Sequence, residues 1–332
     1  MFFQCVRTDI GYRVVHSLGN DSEAVRAGEV SSLAFNSKAN MLASVLSVDF
    51  MTSNSFEHAI QVWSTSSGAL LDTLHGHNSY VFSVAFSGQG LLASGSWQDM
   101  RVWDVQAKGQ AKLLRTVGTP SDTFSSVAFE PDTKLLASGS LDGTLRLWNA
   151  TTGRLLTTLI AEAEAAGAGA DGMVSSVAFS RAGSMLASGH SSGTIRLWDV
   201  WASGGRHTVR PRAAWTAHKS PVTSMAFNAE MLLASGSWDP DIKLWDCESG
   251  EVLRTLHGNS SYVASLAFRG DGLLASSSWA TTIELWDSRA GRLLHTLSAH
   301  AAHVTSLAFS GADHLLASGD LQGSVKLWAL AP

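Results

Sequence analysis

The chain has 332 residues, 15% of them charged, and a formal net charge of −5 at pH 7. This balance argues against a nucleic-acid partner, because nucleic-acid-binding proteins usually present a basic face or stripe. Two cysteines, Cys5 and Cys247, are too few for a disulfide framework, and no apolar run approaches the ~18 residues that span a bilayer. With no secretory signal at the start, we expect a cytoplasmic location without membrane insertion, and a nuclear one as the alternative.

One pattern recurs seven times along the chain. Each copy contains an Ala-Phe step, then a Leu-Ala-Ser run, then an alternating segment that ends on Trp. The closing tryptophans are Trp63, Trp103, Trp148, Trp198, Trp245, Trp286 and Trp328, which are separated by 40, 45, 50, 47, 41 and 42 residues. A period near forty residues predicts a repeat array.

Each repeat reads as four short strands in chain order. In the second copy, residues 81–86 alternate in side-chain size, and the apolar run 91–96 follows after a turn that contains Gly. A third strand is predicted at 144–148 in the next copy, and a weaker fourth one at 291–297 in the sixth. Four antiparallel strands per unit are typical of a propeller blade, so the fold class is all-β, with no helix predicted.

The tripeptide Leu-Trp-Asp at 197–199, 244–246 and 285–287 makes the chain resemble the WD40-repeat family. The resemblance covers roughly the whole chain and implies one seven-bladed β-propeller domain over 1–332. The last repeat stops at Trp328 without its fourth strand, whereas residues 13–18 read like such a strand. We therefore expect strand 13–18 to pair with the C-terminal blade, 304–328, and to close the ring, which removes exposed sheet edges.

The resemblance also implies a buried polar network of His, Asp, Ser and Trp in some blades. The fifth repeat supplies all four, as His218, Ser235, Asp239 and Trp245. We expect the network to be complete in this repeat alone, because the Asp place elsewhere holds residues such as Ser192, Ala280 and Gln322.

Aromatic residues recur at two further positions of the repeat. Trp97, Trp238 and Trp279 lie in the turn after the second strand, and Tyr80 and Tyr262 lie just before the first strand. The resemblance places both positions on one rim of the disc, around the channel. We expect a partner-binding site there, with Tyr80 beside Trp97 and Tyr262 beside Trp279; the alternative is that these tryptophans pack sideways onto neighbouring blades.

Four segments depart from the repeat. The connection 46–59 is long and apolar, which fits a partner contact or a loop folded back on the disc. Segment 161–172 contains a literal GxGxxG but precedes a strand, so a spacer is favoured over a nucleotide site. Segment 204–212 is a basic loop that is either solvated or binds an acidic group. Residues 286–289, Trp-Asp-Ser-Arg, match a motif that marks docking to a cullin-ligase adaptor in some family members, although Ala280 departs from the fuller pattern.

No arrangement of residues suggests catalysis, a cofactor or a metal. His300 and His303 have the spacing of a ligand pair, but His300 occupies the family's structural His position. We therefore expect a non-catalytic scaffold for protein or peptide partners, working as a subunit of a multiprotein assembly. The alternatives are a substrate receptor of a cullin-type ubiquitin ligase, a peptide reader and, from another class, a propeller enzyme.

Overall fold

The architecture is taken from a computed structural model, in which 28 β-strands and no helix form the described part of the chain. The structure describes residues 12–18, 28–36, 40–48, 58–106, 110–118, 122–159, 172–203, 206–258, 261–270, 272–298, 300–311 and 314–330. The apolar centre of connection 46–59, the spacer 161–171, Gly204, Gly205 and Cys5 lie outside these ranges, so the expectations for them stay predictions.

The strands follow one another in groups of four. The first strand is β1 (Tyr12–Leu18). Blade 1 consists of β2 (Gly28–Asn36), β3 (Met41–Val48), β4 (His58–Ser64) and β5 (Leu70–His77), and blade 2 of β6 (Val81–Phe86), β7 (Leu91–Ser96), β8 (Met100–Val105) and β9 (Ala111–Val117). Blade 3 consists of β10 (Phe124–Phe129), β11 (Leu135–Ser140), β12 (Leu145–Asn149) and β13 (Arg154–Leu159), and blade 4 of β14 (Val174–Phe179), β15 (Met185–His190), β16 (Thr194–Ser203) and β17 (Arg206–Thr216). Blade 5 consists of β18 (Val222–Phe227), β19 (Leu232–Ser237), β20 (Ile242–Asp246) and β21 (Val252–Leu256), and blade 6 of β22 (Val263–Phe268), β23 (Leu273–Ser278), β24 (Thr282–Asp287) and β25 (Arg292–Ser298). Blade 7 contains β26 (Val304–Phe309), β27 (Leu316–Asp320) and β28 (Val325–Leu330).

Seven four-stranded antiparallel sheets are arranged as the blades of a ring, which confirms the predicted fold class. The seventh sheet combines both ends of the described chain, with strand order β1-β28-β27-β26. β1 is antiparallel to β28, and the paired residues run from Tyr12 opposite Leu330 to Leu18 opposite Val325. The N-terminal strand is therefore the outer strand of blade 7.

The hydrophobic core lies between neighbouring blades. Each closing tryptophan packs among residues of the preceding blade, as Trp103 does with Met41, Val45 and Ile60 of blade 1. All seven closing tryptophans are buried, and each donates its indole N–H to a serine of the second strand in its own blade, over 2.8 to 3.1 Å. The Leu-Ala-Ser run and the closing Trp of the repeat thus specify one buried contact.

Small residues let adjacent blades approach closely. A Cβ added at Gly189 of blade 4 would lie 2.6 Å from the Cγ1 of Val222 in blade 5, and Gly319 meets Val30 in the same way where the ring closes. Blade 6 has Ser277 at this position, and the hydroxyl of Ser277 is buried without a hydrogen-bond partner in the described part of the chain. The interface between blades 6 and 7 therefore contains a buried hydroxyl without a hydrogen-bond partner among the described residues, whereas Gly189 and Gly319 bring no polar side chain to their interfaces.

A circle of side-chain hydroxyls ties the first strands together. Each hydroxyl donates to a backbone carbonyl in the first strand of the next blade, as Thr223 does to Val263 and Thr305 to Val30, both over 2.6 Å. Ser31, Ser125 and Ser175 make the same contact. Phe82 and Ala264 occupy the position in blades 2 and 6, so the circle is interrupted between blades 2 and 3 and between blades 6 and 7.

Candidate interaction surface

Backbone hydrogen bonds define one rim of the disc, here called the top rim. In six blades the residue after the second strand donates its N–H to the carbonyl of the residue before the first strand. The pairs are Trp97 to Tyr80, Leu141 to Thr123, Ser191 to Met173, Trp238 to Pro221, Trp279 to Tyr262 and Leu321 to His303. The two aromatic positions of the repeat therefore lie side by side on this rim.

The first aromatic cluster lies on blade 2. The ring of Phe82 lies between those of Tyr80 and Trp97, with centroids 4.8 and 5.7 Å away, and His58 of blade 1 extends the row at 6.1 Å from Tyr80. The hydroxyl of Tyr80 donates to Glu29 of blade 1 over 3.0 Å. Burial and the neighbouring Glu29 carboxylate raise the pKa of Tyr80, so this phenol stays protonated and its orientation is fixed.

The second aromatic cluster crosses three blades. Tyr262 of blade 6 contacts Trp238 of blade 5 and Trp279 of its own blade, with ring centroids 6.5 and 4.9 Å apart. Trp279 in turn lies 5.4 Å from the imidazole of His303 in blade 7. These tilted contacts are typical of attractive aromatic pairs and hold the four rings in one continuous row.

The indoles of both clusters are open to solvent. Trp97 is 53% exposed, Trp238 is 62% exposed and Trp279 is 47% exposed, whereas the seven closing tryptophans are at most 6% exposed. The structure brings Tyr262 and Trp279 together directly and joins Tyr80 to Trp97 through Phe82. Sequence reasoning did not assign Phe82, His58 or His303 to this surface; Phe82 could have been found as the large residue where the other repeats have a small one.

The polar network occurs in more than one blade. In blade 5, the Nδ1–H of His218 donates to Asp239 over 3.0 Å, and the Ser235 hydroxyl bridges His218 and Trp245 over 2.8 Å on each side. Burial lowers the pKa of His218 despite the adjacent Asp239 carboxylate. The ring is therefore neutral at pH 7, with Nε2 free to accept the Ser235 O–H.

The expectation of a single complete network is wrong. Blade 2 has His77, Asp99, Ser94 and Trp103 in the same contacts, with His77 2.6 Å from both Asp99 and Ser94. Blade 7 has His300, Asp320, Ser318 and Trp328. Asp99 lies one residue further past the end of its second strand than Asp239 does, and Asp320 is the last residue of its second strand, two residues before Gln322, so alignment by position missed both.

Residues 206–212 of the basic segment belong to β17 and do not form a loop, because β16 and β17 pair as far as Ser203 and Arg206. Pro211 lies next to a bulge opposite Trp198, a position that tolerates proline on an outer strand. The guanidinium of Arg210 lies 5.8 Å from the centroid of the Trp201 ring, and Arg212 pairs with Asp199 over 3.0 Å. Two of the cations in this segment thus already have partners within the hairpin.

Two other sequence motifs have structural roles. In 286–289, Asp287 accepts hydrogen bonds from the amides of Arg289 and Ala290, and the Arg289 side chain pairs with Glu230 of blade 5. His300 belongs to the blade 7 network. Among the described residues, no group of three or more potential ligands gathers as a metal site would require. In the same part of the chain, no helix has the length and apolar character to cross a bilayer.

Comparisons with known proteins agree with this architecture. Periodic tryptophan protein 2 homolog of Schizosaccharomyces pombe is 39% identical over 116 residues, which are 34% of this chain and 13% of that protein. The ribosome biogenesis protein WDR12 homolog of Nematostella vectensis is 26% identical over 215 residues, 63% of this chain and 44% of that protein. COMPASS component SWD3 of Saccharomyces cerevisiae is 27% identical over 171 residues, 47% of this chain and 50% of that protein.

The chain thus spans half or less of the length of each of these relatives. A family model covers far more of it: the model described as the first β-propeller of IFT122 matches residues 53–329. Together with the seven blades and the repeated Leu-Trp-Asp, this match places the chain among the WD-repeat β-propellers, in the family of the first β-propeller of IFT122.

Proposed function

We propose that this chain is a non-catalytic scaffold that binds a protein partner through the two aromatic clusters of the top rim. The observation that carries the proposal is the exposure of three indoles, each about half open to solvent, at hairpin turns of a rigid disc. Tryptophan and tyrosine are enriched at interaction hot spots, where truncation costs about 2 kcal/mol or more. Ring contacts within each cluster hold the side chains in place, which lowers the entropy lost on binding.

The top rim offers further apolar surface between the clusters. Leu141 of blade 3 and Met173 of blade 4 occupy the same two rim positions as the aromatic residues, and both are exposed. A partner that lies along the rim would therefore meet apolar side chains on blades 2 to 6. Two relatives are named for assemblies or processes, a COMPASS component and a ribosome biogenesis protein, which supports a role as a subunit of a nuclear or cytoplasmic complex.

The test uses alanine variants of the full chain. Trp97→Ala and Trp279→Ala should each reduce recovery of the top-rim partner by about tenfold or more in a quantitative pull-down, because each removes one hot-spot side chain. Leu253→Ala is the control, since Leu253 is 56% exposed but lies on the outer strand of blade 5. Unchanged melting curves establish that the variants fold. Undiminished recovery of every partner by both tryptophan variants would contradict the proposal.

A further inference from the structure

A second surface lies on the other rim of the disc, where the third and fourth strands of each blade are joined. In blade 4 these strands, β16 and β17, are ten and eleven residues long, whereas β20 and β21 of blade 5 have five each. The extra length projects the hairpin past its neighbour. Trp201, on the projecting part, is 47% exposed.

A cavity of about 480 Å³ lies between this hairpin and the adjoining turns of blade 5. Its apolar lining consists of Trp201, Met185, Met231 and Cys247. Burial raises the pKa of the Cys247 thiol to about 12, so this side chain is protonated and acts as an apolar wall. The cavity is within the size range of small-molecule pockets and can hold one or two long side chains.

The polar lining is dominated by carboxylates. Asp199, Glu230, Asp246 and Glu248 face the cavity, and Arg212 is the single cation among the lining residues that the structure describes. Two of the carboxylates are paired, Asp199 with Arg212 and Glu230 with Arg289 of blade 6. The remaining negative charge comes from the end of β20 and the turn after it.

Asp246 is the last residue of β20, and Glu248 lies in the turn that follows. Asp246 accepts hydrogen bonds from the Glu248 amide over 2.8 Å and from the Ser249 hydroxyl over 3.1 Å. The bond from the Glu248 amide holds the pKa of Asp246 below its usual value, so this carboxylate is ionised at neutral pH. Glu248 is exposed, and its side chain adds a second negative charge at the cavity.

We propose that this cavity binds an arginine or lysine side chain from a basic segment of a protein partner. The apolar lining suits the aliphatic stem of such a side chain, and the carboxylates of Asp246 and Glu248 suit its charged end. The Trp201 indole lines the cavity and attracts cations through its ring, as the position of Arg210 over the same ring illustrates. An acidic segment would be repelled by the same carboxylates. This site is independent of the top rim.

The probes are three fluorescein-labelled, end-blocked nonapeptides in a Gly/Ser frame, with three central arginines, leucines or glutamates. We expect the arginine peptide alone to bind the full chain in fluorescence anisotropy at low salt. Glu248→Gln should weaken its affinity by about three- to tenfold, because one unpaired charge is removed from the cavity. Trp201→Ala should weaken it by about tenfold. The matched control is Glu251→Gln, an exposed carboxylate three positions away that does not line the cavity.

The outcomes separate specific binding from general attraction to an acidic protein. Equal losses in Glu248→Gln and Glu251→Gln would mean that net charge alone draws the peptide, which overturns the proposal. Preference for the leucine or glutamate peptide, or no binding of the arginine peptide, would overturn it as well. Trp97→Ala and Trp279→Ala should leave the affinity for the arginine peptide unchanged, so failure of the top-rim function and failure of this site are distinguishable.

Discussion

The buried network of blade 7 yields a prediction with a large expected effect. Asp320→Ala removes a carboxylate whose Oδ2 lies 2.7 Å from the Nδ1 of His300 and whose Oδ1 accepts the amides of Gln322 and Ser324, each over 2.9 Å. The two turn amides can bind water instead, but the His300 donor is fully buried and is left without a partner. Losing a buried charged acceptor in this way costs about 3 kcal/mol.

The free energy of unfolding, measured in urea at pH 7, should therefore fall by about 3 kcal/mol. Gln322→Ala is the matched control, because Gln322 occupies the position aligned with Asp239 yet contributes only its backbone amide to the network; the expected change is within about 0.5 kcal/mol. Asp239→Ala should cost less than Asp320→Ala, since the Asp239 side chain is 26% exposed and that of Asp320 is 2% exposed.

The same variant has a defined pH dependence. Burial alone would raise the pKa of Asp320, but the hydrogen bonds from His300, Ser324 and Gln322 outweigh burial and hold the pKa below its usual value. A carboxylate with a lowered pKa stabilises the fold above its unfolded pKa of about 4, and this stabilisation is lost as the pH falls through the folded pKa. The difference between wild type and Asp320→Ala should therefore shrink in acid. Equal stabilities of the two proteins at pH 7, or equal losses in Asp320→Ala and Gln322→Ala, would refute the reasoning.

Three further predictions concern buried polar groups and the bonds between blades. Ser277→Ala should raise the free energy of unfolding by about 1 kcal/mol, because it removes a buried hydroxyl that lacks a partner among the described residues. Ser276→Ala should lower the free energy of unfolding, because it breaks the hydrogen bond to the closing tryptophan of blade 6. Urea titrations that rank the two variants in the opposite order would contradict this. Thr305→Val should lower the melting temperature by a few degrees, since it removes the hydroxyl bond between blades 7 and 1, and an unchanged temperature would show that the bond contributes nothing. Glu284→Gln should stabilise the protein above about pH 5, because burial raises the pKa of the Glu284 carboxyl and its ionised form therefore weakens the fold as the pH rises. The gain in stability should vanish near about pH 3, where the carboxyl is protonated in both the folded and the unfolded chain. A gain that is independent of pH would contradict this.

Much of the fold could be predicted because the same sequence pattern recurs in each of the seven repeats. The period of the closing tryptophans predicted the blades, and the likeness between residues 13–18 and a fourth strand indicated which segment lies at the outer edge of blade 7. These features depend on buried residues that recur at a nearly fixed spacing, and this spacing can be read from a single sequence. The exposed aromatic turns were also visible, because the same two positions carry Trp or Tyr in several repeats.

The missed features depend on the local path of the chain. Asp99 lies in the turn after its second strand and Asp320 is the last residue of its second strand, so neither aligns in sequence with Asp239. The sequence of the projecting hairpin predicts a loop, because Gly204, Gly205 and Pro211 are typical of turns. The long outer strand depends on pairing with the extended β16. The contact of Phe82 with its neighbours needs three dimensions, since alternation alone does not say which rings meet.

The interrupted circle of hydroxyls has a mechanical consequence. Two joints, between blades 2 and 3 and between blades 6 and 7, lack the hydroxyl-to-carbonyl bond that Thr223 and Thr305 supply elsewhere. They keep the bonds from the amides of Val127 and Leu307 to the hydroxyls of Ser83 and Ser265. We therefore expect these two joints to open more readily than the joints between blades 1 and 2 and between blades 5 and 6, each of which has both kinds of bond. The contact between Trp279 and His303 spans one of these joints, and Phe82 and Trp97 border the other. A partner bound to the aromatic clusters would hold these joints closed, so that partner binding would also stiffen the ring.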